Sequence, residues 1–322
     1  MQVHEVWHFF SHSITNHESG NGRDRGGTTF DCEIVKIRLN LIMERKVIKT
    51  VQGVRTQDGA GVSLVRVLGS DTVHDFDPIL MLDSFDSDDP QDYRGGFPTH
   101  PHRGIETISF LALGMMTHRD HLGNEATIDD GEAQWLTAGS GAFHSETLPG
   151  QGRMLGAQLW LNLPQKDKMC RPAYHTITRR EIKEIPVDGG IVRLIAGTFK
   201  EHRGYRGKYL PLDYYDIHLN PHCSITIETE VNRSVMIFTM VGDVVAGGTK
   251  VREKTAAKLG EGGKVVIASG DEAVELLFIS SMKLGEPVAW YGPIVMNSDD
   301  ELRTAVRELN DGTFIKANTS YG

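Results

Sequence analysis

Cysteine is scarce in this chain: Cys32, Cys170 and Cys223 are the three among 322 residues, far apart and without a CxxC pair. That excludes a disulfide framework and fits a reducing compartment, read as the cytoplasm, or the nucleus if the source is eukaryotic. Long apolar runs are also missing. No stretch approaches the ~18 residues of a membrane span, and the N-terminus has no charged start followed by an apolar core, so neither membrane insertion nor a secretory signal is expected. Positive charge is in deficit, with 34 Lys and Arg against 43 Asp and Glu and a formal net charge of −9. Direct nucleic-acid binding wants a basic face and is not expected. The strongest basic clusters, Arg179-Arg180 and Lys166-Asp167-Lys168, are short and read as solvated surface.

Glycine, by contrast, is abundant at 35 residues. Without a collagen period, that signals many tight turns and hence many short strands. Residues 1–42 stand apart. They hold His4, His8, His12 and His17 and a polar Gly-rich run from Ser19 to Thr29. They read as a weakly ordered leader, optional or artefactual, because Met43 opens MERKVIKTVQGV like a natural start. From Lys46 onward the pattern is β. Expected strands are Val62–Leu68, Ile105–Leu113 and Leu155–Leu163 in the first half. In the second half they are Ile191–Gly197, Tyr214–Leu219, Ser224–Thr229, Val235–Val241, Lys264–Ala268 and Ala273–Ser280. Pro164 to Pro186 reads as a polar linker. The organisation expected is a leader over 1–42, one β-barrel over 43–170 and another over 171–322. One helix is expected after the N-cap Ser298, with Leu302, Ala305, Val306 and Leu309 at helical spacing and Gly312 as its stop.

Two segments carry chemistry. In FPTHPHRGIETISFLALG, Phe97 to Gly114, His100 and His102 stand at i and i+2, on one face of a strand. Pro101 between them removes a ladder donor and points to an edge strand or barrel mouth. In GEAQWLTAGSGAFHSETLPG, Gly131 to Gly150, His144 and Glu146 repeat the i, i+2 spacing. If the two strands face each other across a barrel, three imidazoles and a carboxylate meet. That set suits one divalent transition-metal ion: iron, nickel, manganese, copper or zinc. A closed structural zinc site usually recruits Cys, and none lies near. Glu106 keeps the parity of His100 and His102 if the strand is regular, so it stays open as a rival ligand, an outer partner of an imidazole or a salt-bridging residue. Gly139 and Gly141 are expected to supply the bend that brings His144 inward. Gln158, Trp160 and Asn162 share a strand face, with Trp160 expected in the core rather than as a platform for substrate. His118 and His121 flank a hairpin in HRDHLGN and read as solvated turn residues. His218 and His222 have no partner pair, so no metal is expected in the second half.

HPHRGIET, HRDHLGN, QWLTAGSGAFHSE and LGEPVAWYGPIVMN together resemble the signature segments of the pirin family, a branch of the cupin superfamily. The resemblance runs from about Lys46 to Phe314. It implies an all-β bicupin of two stacked β-barrels (double-stranded β-helix) with a short C-terminal helix and metal in the N-terminal barrel alone. It implies Fe(II) as the usual metal, and it assigns the ligand positions to His100, His102, His144 and Glu146. Its activity would be that of a quercetin 2,3-dioxygenase, opening a small aromatic, flavonol-like substrate with O₂, with Glu146 also acting as base. The family's eukaryotic members imply an alternative: an iron- or redox-sensing transcriptional co-regulator that works by binding a regulatory protein. LGEPVAWYGPIVMN is expected to return the C-terminus to the first barrel.

Overall fold

The computed structural model describes residues 43–150 and 152–316. Residues 1–42, with their histidines and Cys32, lie outside the described residues. The chain forms two β-barrels, each a seven-stranded sheet opposed to a four-stranded one. The principal strands of the first half are β1 (Val47–Gln52), β2 (Val62–Leu68), β3 (Ile79–Ser87), β4 (Phe97–His102), β5 (Ile105–Leu113), β6 (Met116–Asp120), β7 (Glu132–Thr137), β8 (Ala142–Thr147) and β9 (Met154–Asn162). Those of the second half are β10 (Leu212–Leu219), β11 (Arg233–Val241), β12 (Thr255–Leu259) and β13 (Val274–Met282), followed by helix α1 (Asp299–Asn310).

Strand alternation sorts the side chains into two cores. On β5, Ile108 and Phe110 point out of the first barrel, and so do Leu159 and Leu161 on β9 and Trp135 on β7. They join Tyr214, Phe238, Leu277 and Ile279 of the second barrel in one buried apolar layer. At ~25 cal/mol per Å² of apolar area buried, a shared layer of this kind holds the two barrels together. The second barrel is filled by apolar side chains, among them Val192, Leu194, Ile217, Ile237, Leu276 and Phe278. The first is not. Its interior holds buried His102, His118, Gln134, His144, Glu146 and Gln158. These polar groups are flanked by two separate apolar clusters, one around Leu64, Phe85 and Met116 and the other around Leu80, Leu136 and Trp160. Seven strands of β-branched and aliphatic residues would close a dry core. The first barrel gives up part of that burial to hold polar side chains, which burial penalises unless they are partnered.

Two connections were not apparent in the sequence. β1 pairs antiparallel with β12, so a strand from the start of the described chain completes the sheet of the second barrel. The segment read as a linker contains Ala173–Ile177, which pairs with β7, and Lys183–Val187, which pairs with Gly190–Ala196. Both are edge strands of their sheets with largely exposed or half-buried side chains, and their polarity hid them. The C-terminal segment returns to the first barrel. Val295 N–H donates to Arg103 O at 3.0 Å, and Arg103 Nη1 reaches Glu308 Oε2 of α1 at 2.7 Å. Its guanidinium also stacks 4.1 Å over the Phe314 ring. Ser298 caps α1 by accepting from Glu301 N–H, ahead of three acids in the first turn, as the cap and dipole require. Among the described residues no helix is long and apolar enough to cross a membrane.

Candidate metal centre

β4 and β8 are neighbours in the four-stranded sheet, antiparallel, with His144 directly opposite His100. The two ligand pairs therefore meet side by side rather than across the barrel as expected. β4 is the edge strand, which accommodates Pro101. The register slips between His144 and Glu146, a bulge that re-aims the second pair. Gly139 and Gly141, with φ of 49° and 143°, make the approach to β8. A Cβ at Gly139 would stand 2.3 Å from Cys170 O, so the bend needs glycine there.

The three imidazoles converge. His100 Nε2 lies 3.0 Å from His102 Nε2 and 3.0 Å from His144 Nε2. Each ring uses its other nitrogen elsewhere: His100 Nδ1 with Pro98 O at 2.8 Å, His102 Nδ1 with Pro293 O at 3.2 Å, and His144 Nδ1 with His118 Nδ1 at 3.3 Å. A carbonyl only accepts, so Nδ1 of His100 and of His102 carries the proton and Nε2 presents a lone pair. Lone pairs crowded together in a buried site repel unless a cation lies among them. Two imidazole nitrogens ~2.1 Å from one ion and at right angles around it stand ~3 Å apart, which is the spacing found. The residues thus fit a metal ion.

Burial keeps the rings neutral, the state a ligand needs. It drives His102 down to about 3, with His100 adding to the effect and the Pro293 carbonyl opposing it. His144 is held well below the ordinary value by burial and then by the neighbouring imidazoles, and His100 is lowered by burial. Glu146 is fully buried. Its Oε1 accepts from Gln134 Nε2 at 2.6 Å, and its Oε2 accepts from Gln158 Nε2 at 3.0 Å. Its carboxyl lies within 4.8 Å of ligand nitrogens on His144 and His118, a grouping that does not include His100 and His102. Burial raises it to about 7 against the hydrogen bonds from Gln158, Gln134 and Ser109.

That shift has a measurable consequence for the metal-free protein. A carboxyl whose folded value lies above its unfolded 4.5 contributes stability that is whole below pH 4.5 and drains away as pH rises through about 7. The imidazoles act in the opposite sense, their contribution whole above 6.5 and lost toward about 3 for His102. Glu146→Gln isolates the carboxyl. Relative to wild type, apo E146Q should gain roughly 2–3 kcal/mol in urea unfolding between pH 5 and pH 9. An unchanged difference across that range would show that Glu146 is not buried as described.

Two readings of individual residues are corrected. Glu106 faces away from the histidines. Gly104, at φ 77°, breaks the parity between β4 and β5. A Cβ at Gly104 would stand 2.0 Å from Val295 O. Glu106 Oε1 instead accepts from Thr137 Oγ1 at 2.6 Å, on the face turned toward the second barrel. It is neither a ligand nor a partner of an imidazole nor a salt bridge. His118 is not a solvated turn residue: it is fully buried on β6, stacked 4.1 Å from Tyr174. The turn reading suits His121, whose Nδ1 accepts from Phe143 N–H. Trp160 is in the core, as expected, in the cluster with Leu80 and Leu136. It meets His102 edge-on at 5.0 Å and Trp290 at 5.9 Å. Both indoles line a cavity of about 1030 Å³ that also exposes His100, His102 and Gln158. Sequence reasoning missed Gln134, although its parity with Leu136 on β7 places it inside the barrel.

In the second barrel Asp216, His218 and Glu275 also bring ligand atoms within 4.8 Å. Arg193 Nη1 already stands 3.2 Å from Asp216 Oδ2 and 3.1 Å from His218 Nε2, so the cluster carries its own cation. His222 sits exposed on a turn at φ 58° and takes no part.

Residues 61–161 match the Pirin family, and residues 214–315 match the Pirin C-terminal cupin domain. A pirin-like protein of Caulobacter vibrioides is 39% identical, over 84% of this chain and 99% of its own length. The chain belongs to the pirin family. A second relative, from Pseudomonas aeruginosa and provisionally named a quercetin 2,3-dioxygenase, is 37% identical over 83% of this chain and 97% of its own. Among solved structures, a quercetin 2,3-dioxygenase from Acinetobacter baumannii superposes with a TM-score of 0.78 at 30% identity, covering 84% of this chain and 99% of that one. The pirin bicupin is therefore the fold of this chain, with one short C-terminal helix.

Proposed function

We propose that this chain is a metal-dependent dioxygenase of the quercetin 2,3-dioxygenase type. His100, His102, His144 and Glu146 would hold one divalent transition-metal ion. Three imidazoles and a carboxylate suit Fe(II), and the same set accommodates Ni, Mn, Cu or Zn. When bound there, the ion supplies Lewis acidity and redox chemistry toward O₂. The observation that carries this reading is the cavity of about 1030 Å³, walled by Trp160 and Trp290 and opening on the rings of His100 and His102. A flat aromatic substrate such as a flavonol can pack against the paired indoles that wall the cavity, which favour stacked or edge-on rings. Gln158 lines that cavity and donates to Glu146. Glu146, with its carboxyl raised to about 7, is the residue that would take the substrate's hydroxyl proton. We take the metal-bearing barrel as residues 43–170 and the supporting one as the described residues from 171 onward, apart from β1, which joins the second barrel, and Ala173–Ile177 and the returning C-terminal segment, which join the first. The unpaired Cys170 and Cys223 suit a cytoplasmic setting.

The test is turnover. Fe(II)-loaded protein mixed with quercetin in air should bleach the flavonol band, consume one O₂ per flavonol and release carbon monoxide. Metal-loaded protein that neither bleaches quercetin nor takes up O₂ contradicts the assignment.

A further inference from the structure

His118 is not one of the four proposed ligands, yet its two ring nitrogens both face partners that fix where protons sit. Nε2 lies 3.2 Å from Asp120 Oδ2, and Nδ1 lies 3.3 Å from His144 Nδ1. The side chains of His118 and Asp120 are both fully buried, so water cannot substitute for either contact. A carboxylate can only accept, so His118 Nε2 carries its proton. A neutral imidazole has one N–H, which leaves His118 Nδ1 an acceptor. The contact between the two Nδ1 atoms is then a hydrogen bond only if His144 Nδ1 donates. His144 Nε2 is left bare, and it is the atom that stands 3.0 Å from His100 Nε2.

We propose that Asp120 and His118 form a positioning relay that sets the tautomer and ring orientation of His144, holding its Nε2 lone pair toward the metal. This rests on the metal reading of the site. The relay is braced on both sides. Asp120 Oδ1 accepts from the backbone N–H groups of Leu122 and Asn124 at 2.9 and 3.0 Å, and Asn124 Nδ2 donates to Oδ2 at 2.8 Å. The His118 ring stacks on Tyr174, interplanar angle 10°. The Tyr174 hydroxyl donates to Gln134 Oε1 at 3.1 Å, and Gln134 Nε2 donates to Glu146. One chain of contacts thus holds the third imidazole and the carboxylate together. The two other imidazoles are oriented more simply, by the backbone carbonyls of Pro98 and Pro293. Outer partners of metal-bound histidines play this role generally, and losing one costs ~10–100-fold in metal affinity.

The loop around Asp120 makes the proposal testable with an isosteric change. In Asp120→Asn the two backbone donors hold the amide oxygen at the Oδ1 position, so the NH₂ group faces His118 Nε2, and the Asn124 side-chain amide turns over to present its oxygen to that NH₂. That nitrogen must then accept, His118 Nδ1 must donate, and His144 is driven to carry its proton on Nε2, where the ion should bind. The expected result is a ~10–100-fold loss of Fe(II) affinity in anaerobic titration of the full chain, with circular dichroism and Tm retained. His118→Leu should lose affinity to the same degree. His118→Asn, whose carbonyl oxygen can take the place of Nδ1 as acceptor, should recover most of it. Long-range ¹H–¹⁵N spectra of the metal-free protein read the tautomer directly: His144 protonated on Nδ1 in wild type and on Nε2 in D120N. Folded D120N and H118L that bind Fe(II) as wild type does would overturn the relay. An identical His144 tautomer in wild type and D120N would do the same. If the wild-type chain takes up no metal at all, the metal reading fails by itself, and the tautomer spectra still decide the relay.

Discussion

Replacing His144 by alanine is expected to cost the protein its metal. His144 sits at the junction of the site: its ring centroid lies 4.4 Å from that of His100, 4.9 Å from that of His102 and 5.2 Å from that of His118. Removing it takes away one of three convergent nitrogens and also releases the contact with His118. The loss should exceed the ~10–100-fold that removal of an outer partner brings. After loading with Fe(II) and desalting, elemental analysis should show about one ion per wild-type chain and essentially none in H144A, by the affinity arithmetic of a >100-fold loss. The fold should survive, because the polar interior lies apart from the apolar layer that joins the barrels. H144A that keeps stoichiometric metal would refute the ligand assignment.

Trp135→Ala is expected to do the reverse: to damage the fold first. The indole is 2% exposed and lies in the layer shared by both barrels, 5.2 Å from the Tyr205 ring. The packing leaves no slack, since a Cβ at Gly207 would come within 2.8 Å of Trp135 Cζ2. Large-to-small changes at such sites cost ~3–5 kcal/mol, the transfer term plus an unfilled cavity. For a chain of this size that is a fall in Tm of roughly 10 °C. Thermal unfolding of the metal-free protein checks it. A fall of less than ~2 °C would mean that the layer is not the main tie between the barrels.

These two residues also show how much was legible beforehand. Both lie on strands marked by alternation, and period-2 patterning sorts inward from outward residues wherever a strand is regular. Val62–Leu68 and Ile105–Leu113 were bounded by glycines at their ends and are found with the same limits. The three imidazoles were legible from two i, i+2 pairs, because the pleat puts such pairs on one face. Parity failed where the backbone was irregular. Glu106 lies beyond Gly104, whose left-handed conformation starts a new strand in the other sheet, so counting by twos across it gave the wrong face. His118 was hidden for a different reason. HRDHLGN has the composition of a turn, and it does contain one, but β6 runs through Asp120 before the turn begins. The His-x-Asp spacing repeats the same-face rule and was the available signal. The exchange of β1 into the second barrel had no local mark: most of its side chains are exposed, and its partner is some two hundred residues away.

The central claim is that His100, His102, His144 and Glu146 hold one ion in the first barrel. It is tested most directly by a crystal of the protein purified without added metal, with anomalous data collected on both sides of the absorption edge of whichever element is found. One anomalous peak is expected, ~2.0–2.2 Å from the three Nε2 atoms and from a carboxylate oxygen of Glu146. No peak there in protein that carries metal, or a peak at Asp216 and His218 instead, would contradict it.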